Sequence, residues 1–144
     1  RSYSKDAKEW TEVAEAKAID TLVDIAFGNG VFVGVGLHGL RMLTNDGKTW
    51  SERQTGEEGE HLNSILWAKD QFVAVGAGAT YFSKDGKTWT RKPNTNPPLT
   101  ACYGNGKFVG VAWKGKVLIS TDAITWKEAM KFEKHTEAVT WGEF

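Results

Sequence analysis

The stretch Ser83–Trp89, with the sequence SKDGKTW, recurs along the chain and decides the fold. Near-copies are TNDGKTW at residues 44–50, STDAITW at 120–126 and SKDAKEW at 4–10. Successive aspartates of these copies are separated by 40, 39 and 37 residues. A fixed period of about 20–50 residues is typical of solenoids, propellers and other arrays of small units. The sequence therefore predicts a repeat protein.

A second repeated motif stands upstream of three of these turns. Its copies are AFGNGVFVGVG, LWAKDQFVAVG and CYGNGKFVGVA, at residues 26–36, 66–76 and 102–112. Short turn signals flanked by β-branched and aromatic residues are typical of β-hairpins. A Gly-bearing link, a third strand, the Asp-containing turn and a fourth strand that opens at a tryptophan follow each hairpin. Each unit is therefore predicted to be a four-stranded antiparallel meander.

These strands do not alternate cleanly between apolar and polar residues. Residues 72–75 are apolar in succession, which loads both faces of a sheet and requires both to be covered. Small residues at Gly34, Ala74 and Gly110 in the second strands would let a neighbouring unit approach closely. The pattern predicts an all-β β-propeller of four-stranded antiparallel blades. Three complete blades are expected at about 21–60, 61–97 and 98–136, with a further blade split between 1–20 and 137–144.

The repeated turn has a physical explanation. The aspartate can accept backbone N–H bonds within its own turn, the glycine after it can adopt a positive φ, and the tryptophan can pack between sheets. A structural role is therefore predicted for Asp6, Trp10, Asp46, Trp50, Asp85, Trp89, Asp122 and Trp126, with the tryptophans largely buried. Ala7 and Ala123 replace the glycine in two copies, where a different backbone geometry is expected.

The four turns resemble the Asp-box, or BNR, repeat of sialidases, sortilin-type receptors and photosystem assembly factors. In that family the motif joins the third and fourth strands of a propeller blade, in enzymes and non-enzymes alike. The spacing S-x-D-G-x-T-W departs by one residue from the familiar S-x-D-x-G-x-T-W form. The resemblance covers almost the whole chain, implies a propeller and favours a secreted or cell-surface location.

Composition limits the range of partners and cofactors. Eighteen basic residues balance eighteen acidic ones without a long block of either sign, which argues against nucleic acid as a partner. No apolar run approaches the roughly 20 residues that span a bilayer, so membrane insertion is not expected. The lone cysteine, Cys102, lies in an apolar setting that suits a small buried side chain. No cofactor is expected.

Catalytic and metal sites are not evident. A sialidase-like enzyme would need three clustered arginines, a Tyr–Glu pair and an acidic general acid/base, as the resemblance implies. The arginines are Arg1, Arg41, Arg53 and Arg91, and the acidic run TGEEGEHLN, containing Glu57, Glu58 and Glu60, is interpreted as a solvated loop. The histidines, His38, His61 and His135, fall in separate repeats and are interpreted as polar loop residues.

Topology predicts where a ligand would bind. The links from second to third strand should share one rim with the connections between blades, opposite the Asp-containing turns. Exposed tryptophan, histidine, asparagine and arginine on that rim can stack on a sugar ring or anchor a protein. The candidate ligand-binding residues are His38, Arg53, His61, Trp113 and Lys114, with Asn94, Asn96 and His135 on the same rim. Trp113 has the alternative of packing on a neighbouring blade.

The leading functional prediction is a non-catalytic, lectin-like binding module for a protein or a glycan. Two alternatives stay open: a fragment or relative of a sialidase-like glycoside hydrolase, and an architectural piece of a larger assembly. Nineteen residues separate Tyr103 from Asp122, whereas only nine would join Trp141 to Asp6 across the split blade. A homo-oligomer that completes this blade is therefore expected, with closure within one chain as the rival. The segment EVAEAKAIDTL, at residues 12–22, is expected to form at most a turn or two of helix.

Overall fold

The computed structural model describes residues 2–12 and 21–142, which are all-β apart from a short 3-10 turn at Trp113–Gly115. A two-stranded hairpin comes first, formed by β1 (Ser2–Tyr3) and β2 (Thr11–Glu12). Three four-stranded antiparallel sheets follow, called blades 1, 2 and 3, in which the strands lie side by side in chain order. The predicted all-β fold of four-stranded antiparallel units is therefore confirmed.

Each blade is a meander built from consecutive strands. Blade 1 contains β3 (Leu22–Gly28), β4 (Val31–Gly36), β5 (Arg41–Thr44) and β6 (Ser51–Gln54). Blade 2 contains β7 (His61–Ala68), β8 (Gln71–Ala77), β9 (Ala79–Ser83) and β10 (Thr90–Pro93). Blade 3 contains β11 (Thr100–Gly104), β12 (Lys107–Ala112), β13 (Lys116–Ser120) and β14 (Lys127–Lys131).

The first hairpin of each blade has a two-residue turn. Both turn residues have positive φ in every copy, at Asn29–Gly30, Lys69–Asp70 and Asn105–Gly106. Positive φ at both positions defines the type I′ turn, whose twist matches that of the flanking strands. Asn–Gly is favoured in this conformation, which explains why the turn signal was readable in blades 1 and 3.

The apolar core lies between successive blades. One cluster joins blades 1 and 2, with Val33, Val35 and Leu43 from blade 1 and chiefly Leu62, Ile65, Phe72 and Tyr81 from blade 2. A second cluster joins blades 2 and 3, with Val73 and Val75 from blade 2 and chiefly Phe108, Leu118 and Trp126 from blade 3. Blade 2 is therefore covered on both faces, as its unbroken apolar strands predict.

Hydrogen bonds between first strands repeat the same connection from blade to blade. The backbone N–H of Ile65 donates to Asp24 Oδ2 at 2.8 Å, and that of Ala101 donates to Ser64 Oγ at 3.2 Å. The β3–β4 and β7–β8 registers shift just before Asp24 and Ser64, consistent with bulges there. A bulge re-aims side chains locally, so these two polar side chains reach the next blade.

The sequence predicted that a neighbouring blade approaches the small residues of the second strands. In two blades the approaching group comes from elsewhere. A side chain at Gly34 would lie 2.9 Å from the ring of Trp50, which belongs to the same blade. At Gly110 it would lie 2.5 Å from Pro98, in the connection that enters blade 3. The prediction of a neighbouring unit was therefore wrong at Gly34 and Gly110, although Ala74 lies in the core between blades 1 and 2.

The C-terminal segment places an aromatic residue against blade 3. A side chain at Gly104 would lie 2.0 Å from the indole of Trp141, just as one at Gly28 would lie 2.1 Å from the indole of Trp67. Trp67 belongs to the blade after Gly28, so Trp141 occupies the position of a first-strand aromatic of a following blade. No described helix is long and apolar enough to cross a membrane. Most of the segment for which a helical turn was considered lies outside the described residues.

Candidate functional site

All four Asp-containing turns, hereafter the Asp turns, have the same hydrogen-bond pattern. In the turn of blade 1, Asp46 Oδ1 accepts the backbone N–H groups of Lys48 and Thr49, each at 2.8 Å, and the hydroxyl of Thr44 at 3.0 Å. The turns at Asp6, Asp85 and Asp122 repeat these three bonds with a serine hydroxyl. In each turn the Oδ1 atom of the aspartate therefore accepts three bonds from groups of its own turn.

The hydrogen bonds lower the pKa of these aspartates. The backbone N–H groups of Thr49 and Lys48 and the Thr44 hydroxyl hold the pKa of Asp46 at about 2. For Asp122, burial opposes the effect, but the N–H groups of Thr125 and Ile124 still lower the pKa. The residue after the aspartate has positive φ in every turn, including Ala7 at 60° and Ala123 at 59°. The expectation of a different geometry at the two alanines was therefore wrong.

The tryptophans after the Asp turns differ in burial. Trp126 is buried against Phe108 at 6.4 Å between ring centroids, and Trp89 lies 6.5 Å from Phe72. Trp10 is 62% exposed, so the prediction of a largely buried side chain was wrong there. Phe72 and Phe108 come from the second strands of their blades, and in the described part of the chain the β1–β2 hairpin has no strand that corresponds to these.

The rim opposite the Asp turns carries a cleft on blade 1. Its volume is about 290 Å³, and it lies between the second-to-third-strand link and the connection that leaves the blade. Two of the predicted ligand-binding residues, His38 and Arg53, line it. The other lining residues are Leu37, Leu40, Thr55, Gly56, Glu57, Glu58 and Gly59.

The third predicted residue in this region, His61, lies beside the cleft. Its ring centroid is 5.5 Å from that of His38, and its Nδ1 accepts the backbone N–H of His38 at 3.2 Å. Two histidines from separate repeats are therefore neighbours, which their sequence positions did not predict. Among the described residues, no three His, Cys, Asp or Glu side chains are placed to hold a metal ion.

The remaining two predicted residues belong to a different part of the rim. Trp113 is 65% exposed and stacks on His135, with ring centroids 4.7 Å apart and planes inclined by 17°. Lys114 lines a shallow groove with Lys131, Phe132 and Glu133. Of the five predicted residues, three therefore lie in or beside the cleft on blade 1, and the other two, Trp113 and Lys114, lie on blade 3.

A buried polar network lies beneath the blade 1 cleft. Glu60 Oε1 accepts two bonds from the Arg91 guanidinium, at 2.9 Å and 2.6 Å, while Oε2 accepts the Tyr81 hydroxyl and the backbone N–H of Glu57. Arg91 also forms an ion pair of 2.9 Å with Glu57. Glu60 and Tyr81 are buried, so the interpretation of Glu60 as part of a solvated loop was wrong.

Arg41 completes the network from the start of β5. Its guanidinium lies 4.0 Å from the Tyr81 ring centroid and donates to the carbonyls of Gly39 and Thr55 at 2.8 Å and 3.1 Å. Burial lowers the pKa of Arg41, whereas its contacts with Tyr81 and Glu60 oppose that change. The two carbonyls belong to the two segments that border the cleft, so Arg41 ties those segments together.

The ionisation of the network matches its geometry. Burial raises the pKa of Glu60, but the Tyr81 hydroxyl, Arg91 and the Glu57 N–H outweigh it, so the pKa is lowered. Burial and the hydrogen bond to Glu60 raise the pKa of Tyr81. A Tyr–Glu pair beside two arginines has the composition expected of a sialidase site, but both members of the pair are enclosed in protein.

The buried network was not predicted from the sequence. The available signals were Arg41 inside the otherwise apolar stretch LRMLT and Glu60 immediately before the first strand of blade 2. A charged residue next to an apolar strand is informative because it needs a partner when it is buried. The partners, Tyr81 and Arg91, are 21 and 31 residues from Glu60.

Comparison with known protein families identifies a family that has this architecture. Residues 25–139 match the DUF6242 beta propeller domain, which includes all of blades 2 and 3 and most of blade 1. The chain belongs to the DUF6242 beta propeller domain family. The predicted β-propeller is thereby confirmed.

Solved structures similar to this DUF6242 propeller domain are also propellers. The structure titled "YCF48 bound to D1 peptide" has a TM-score of 0.58 and 22% identity over 75% of this chain and 39% of that chain. YCF48 from Cyanidioschyzon merolae has a TM-score of 0.56 and 22% identity over 78% of this chain and 40% of that chain. This chain therefore spans about two fifths of those structures. A search of curated proteins finds no match.

Proposed function

We propose that this domain is a non-catalytic module that binds a segment of another protein in the blade 1 cleft. The observation that carries the proposal is a cleft whose wall combines apolar Leu37 and Leu40 with the polar side chains of His38 and Arg53. A mostly apolar concavity with a few placed polar groups is the usual form of a binding site. The YCF48 structure with a bound D1 peptide is a propeller of similar fold, which supports a protein ligand here.

The cleft is held in one shape before any ligand arrives. The Gly56 N–H donates to the His38 carbonyl at 2.9 Å, which joins the two segments that border the cleft. Arg41 and Glu60 fasten the same segments from below through Gly39, Thr55 and Glu57. A site that is ordered in advance loses less conformational entropy on binding. The buried network therefore positions the cleft and does not contact the ligand.

The charges around the cleft indicate the kind of segment that fits. Arg53 and His38 lie on the same cleft as Glu57 and Glu58, so both signs of charge are present. A peptide with one apolar side chain for the cleft floor and both an acidic and a basic group nearby would complement this surface.

Selection from a displayed random-peptide library tests the proposal. We expect enriched peptides that bind the purified domain, and an Arg53→Ala variant should bind them at least about tenfold more weakly, equivalent to about 1.4 kcal/mol. Lys84→Ala, at an exposed position in the Asp turn of blade 2, is the matched control and should leave affinity unchanged. Failure to enrich any peptide, or equal binding by the Arg53 variant, would contradict the proposal.

A glycan ligand is the competing version of the same proposal. Trp113, stacked on His135 and more than half exposed, is the side chain suited to a sugar ring. A glycan array on the same sample distinguishes a glycan ligand from a protein ligand. Sugar binding that is lost in Trp113→Ala and kept in Arg53→Ala would favour the lectin-like hypothesis. The proposal of a glycan ligand also includes the hypothesis that the Asp turns are related to the Asp-box repeat.

We also propose that copies of this domain associate. Apolar side chains on the outer faces of blades 1 and 3 are exposed, and exposed apolar sheet faces favour association. Light scattering at micromolar concentration tests this: a stable 15.9 kDa monomer at all concentrations would rule it out.

A further inference from the structure

His61, the first residue of blade 2, supports the link that forms one wall of the blade 1 cleft. The link contains His38 and Gly39, whose φ values are 59° and 63°, and the Leu40 N–H donates to the Leu37 carbonyl across them. These features define a type I′ turn. Leu37 also pairs with His61 as an isolated antiparallel bridge. The turn is therefore anchored on the next blade through its backbone.

A hydrogen bond to the imidazole ring is the second anchor. His61 Nδ1 accepts the backbone N–H of His38 at 3.2 Å, so this nitrogen carries no proton. In the neutral ring the proton is then on Nε2. Protonation of His61 would place a second donor opposite the His38 N–H and remove the bond. The bond between the link and blade 2 therefore exists only with the neutral ring.

This contact is a feature of the blade 1 cleft and not of the repeat. His61 stands six residues before Trp67, the aromatic residue of its first strand, and the residue six positions before Tyr103 in blade 3 is Pro97. A proline side chain has no hydrogen-bonding atom. The link of blade 2 therefore has no equivalent imidazole to accept its N–H group.

The elements packed around the cleft and His61 carry several charged or titratable side chains. Within the described residues they are His38 on the link, Arg41 on β5, Arg53 on β6, and Glu57, Glu58 and Glu60 on the connection between blades. Glu60 is already bonded to Tyr81 and Arg91. Histidine is the side-chain type whose charge ordinarily changes between pH 5 and 8. A change of pH in that range therefore acts on the two histidines of this region.

We infer that His61 is a proton-sensitive positioning residue for the blade 1 cleft. Its neutral ring holds the link in place for a peptide, and its protonation loosens that wall. The inference rests on the proposed function and adds its regulation. Because the bond to His38 requires the neutral ring, peptide affinity should be highest at neutral pH and should fall as the pH decreases and His61 gains a proton. A coupling between two binding events typically changes affinity about 5–150-fold.

Peptide affinity at about pH 7.5 and about pH 5.5 tests the inference. The probe is a selected peptide that contains no histidine and has blocked termini. We expect the unmodified chain to bind it at least about fivefold more weakly at the lower pH. His61→Asn supplies an amide oxygen that can accept the His38 N–H at either pH, so it should remove most of this difference. His135→Asn, on blade 3, is the matched control and should retain the difference.

A third substitution distinguishes His61 from His38. Asparagine is favoured at positive φ, so His38→Asn preserves the turn. This variant alters the lining of the cleft, so only the ratio of its two affinities is compared, and the ratio should remain that of the unmodified chain. Loss of the ratio in His38→Asn, its retention in His61→Asn, or equal affinity of the unmodified chain at both pH values would each overturn the inference.

Nuclear magnetic resonance provides a readout that needs no peptide. The His61 ring nitrogens and the His38 backbone amide are followed over the same pH range in the unmodified chain. We expect an unprotonated Nδ1 at the higher pH and a shift of the His38 amide signal in step with protonation of His61. A protonated Nδ1 at the higher pH, or a His38 amide that does not respond, would contradict the inference. If no peptide is selected, the proposed function fails while this titration still decides whether His61 is a switch.

Discussion

At the scale of single residues, two carboxylates of this domain accept hydrogen bonds from other groups of the same chain. Asp46 in its turn and Glu60 beneath the cleft each accept several hydrogen bonds. Removal of Glu60 is costly because the Tyr81 hydroxyl is left buried without an acceptor, whereas the N–H groups bonded to Asp46 are exposed to water. Asp46 is exposed and Glu60 is buried. We therefore test Asp46 by changing the pH and Glu60 by substitution.

Acid should weaken the fold through the Asp turns. The pKa of Asp46 is about 2 in the folded chain, below the ordinary value of 3.8 for a free aspartate. Its contribution to stability is therefore complete above the unfolded pKa and is lost as the pH falls toward the folded one. We expect the urea midpoint to decrease from about pH 4 to about pH 2. Asp46→Asn should flatten this decrease, whereas Asp70→Asn, exposed in the first turn of blade 2, should not.

Loss of Glu60 should destabilise the domain and loosen the cleft. Glu60→Ala removes the partner of Arg91 and leaves the Tyr81 hydroxyl buried without an acceptor. We expect a loss of about 2–4 kcal/mol in the free energy of unfolding, reduced from the cost of a fully buried pair because Arg91 is partly exposed. Glu58→Ala, an exposed neighbour on the same segment, should change it by less than about 0.5 kcal/mol. Equal effects in urea titrations would contradict a special role for Glu60.

At the scale of the element, the Asp turn is a unit whose backbone is the same in four copies while its surroundings differ. The residue after the aspartate is in the left-handed region each time, as glycine in blades 1 and 2 and as alanine in blade 3. Burial of the turn depends on which blade lies beside it. A side chain at Gly47 would meet no atom within 4 Å, whereas one at Gly86 would lie 2.7 Å from Val33 of blade 1.

Two matched glycine substitutions distinguish the stability that the turn itself contributes from the stability contributed by its contact with the neighbouring blade. Gly47→Ala should cost about 1 kcal/mol, the cost of placing a side chain at positive φ. Gly86→Ala should cost about 1–3 kcal/mol more because its methyl group also displaces Val33. Thermal unfolding of the two variants measures the difference, and a more harmful Gly47 variant would show that the contact with blade 1 does not matter.

At the scale of the whole molecule, the domain is a row of blades held together by their first strands and by the apolar layers between them. Trp67 on Gly28 and Trp141 on Gly104 are the same contact at two places in the row. Trp67 packs on the core between blades 1 and 2, while Trp141 is half exposed at the end of the row. The same substitution should therefore have different consequences at the two glycines.

Gly28→Ala should be the more harmful of the pair. Its methyl group would displace Trp67 and open the layer between blades 1 and 2, at a cost of about 2–3 kcal/mol. Gly104→Ala should displace Trp141, with less than about 1 kcal/mol lost, and should shift the tryptophan emission to longer wavelength. Urea unfolding followed by fluorescence reports both quantities. A Gly104 variant as unstable as the Gly28 variant would mean that Trp141 is part of the cooperative core.

The sequence by itself determined the repeat, the four-stranded meander and the position of every Asp turn, because those depend on short-range chemistry. Type I′ turns, β-forming residues and aspartates that bond within their own turns act over a few residues and leave a readable pattern. It also predicted His38, Arg53 and Lys114 on one rim, since the topology of a meander assigns loops to the ends of the strands.

Only the tertiary structure decided which of these residues meet. The contact between His38 and His61, the burial of Glu60 with Tyr81 and Arg91, and the separate position of Trp113 depend on how adjacent blades stack. The exposure of Trp10 has the same origin, because among residues 2–12 and 21–142 no strand packs on the β1–β2 hairpin in the way that β8 and β12 pack in their blades. Packing between blades joins residues far apart in the chain. The local pattern of one repeat shows that its faces need a neighbour but does not specify which residues of that neighbour it contacts.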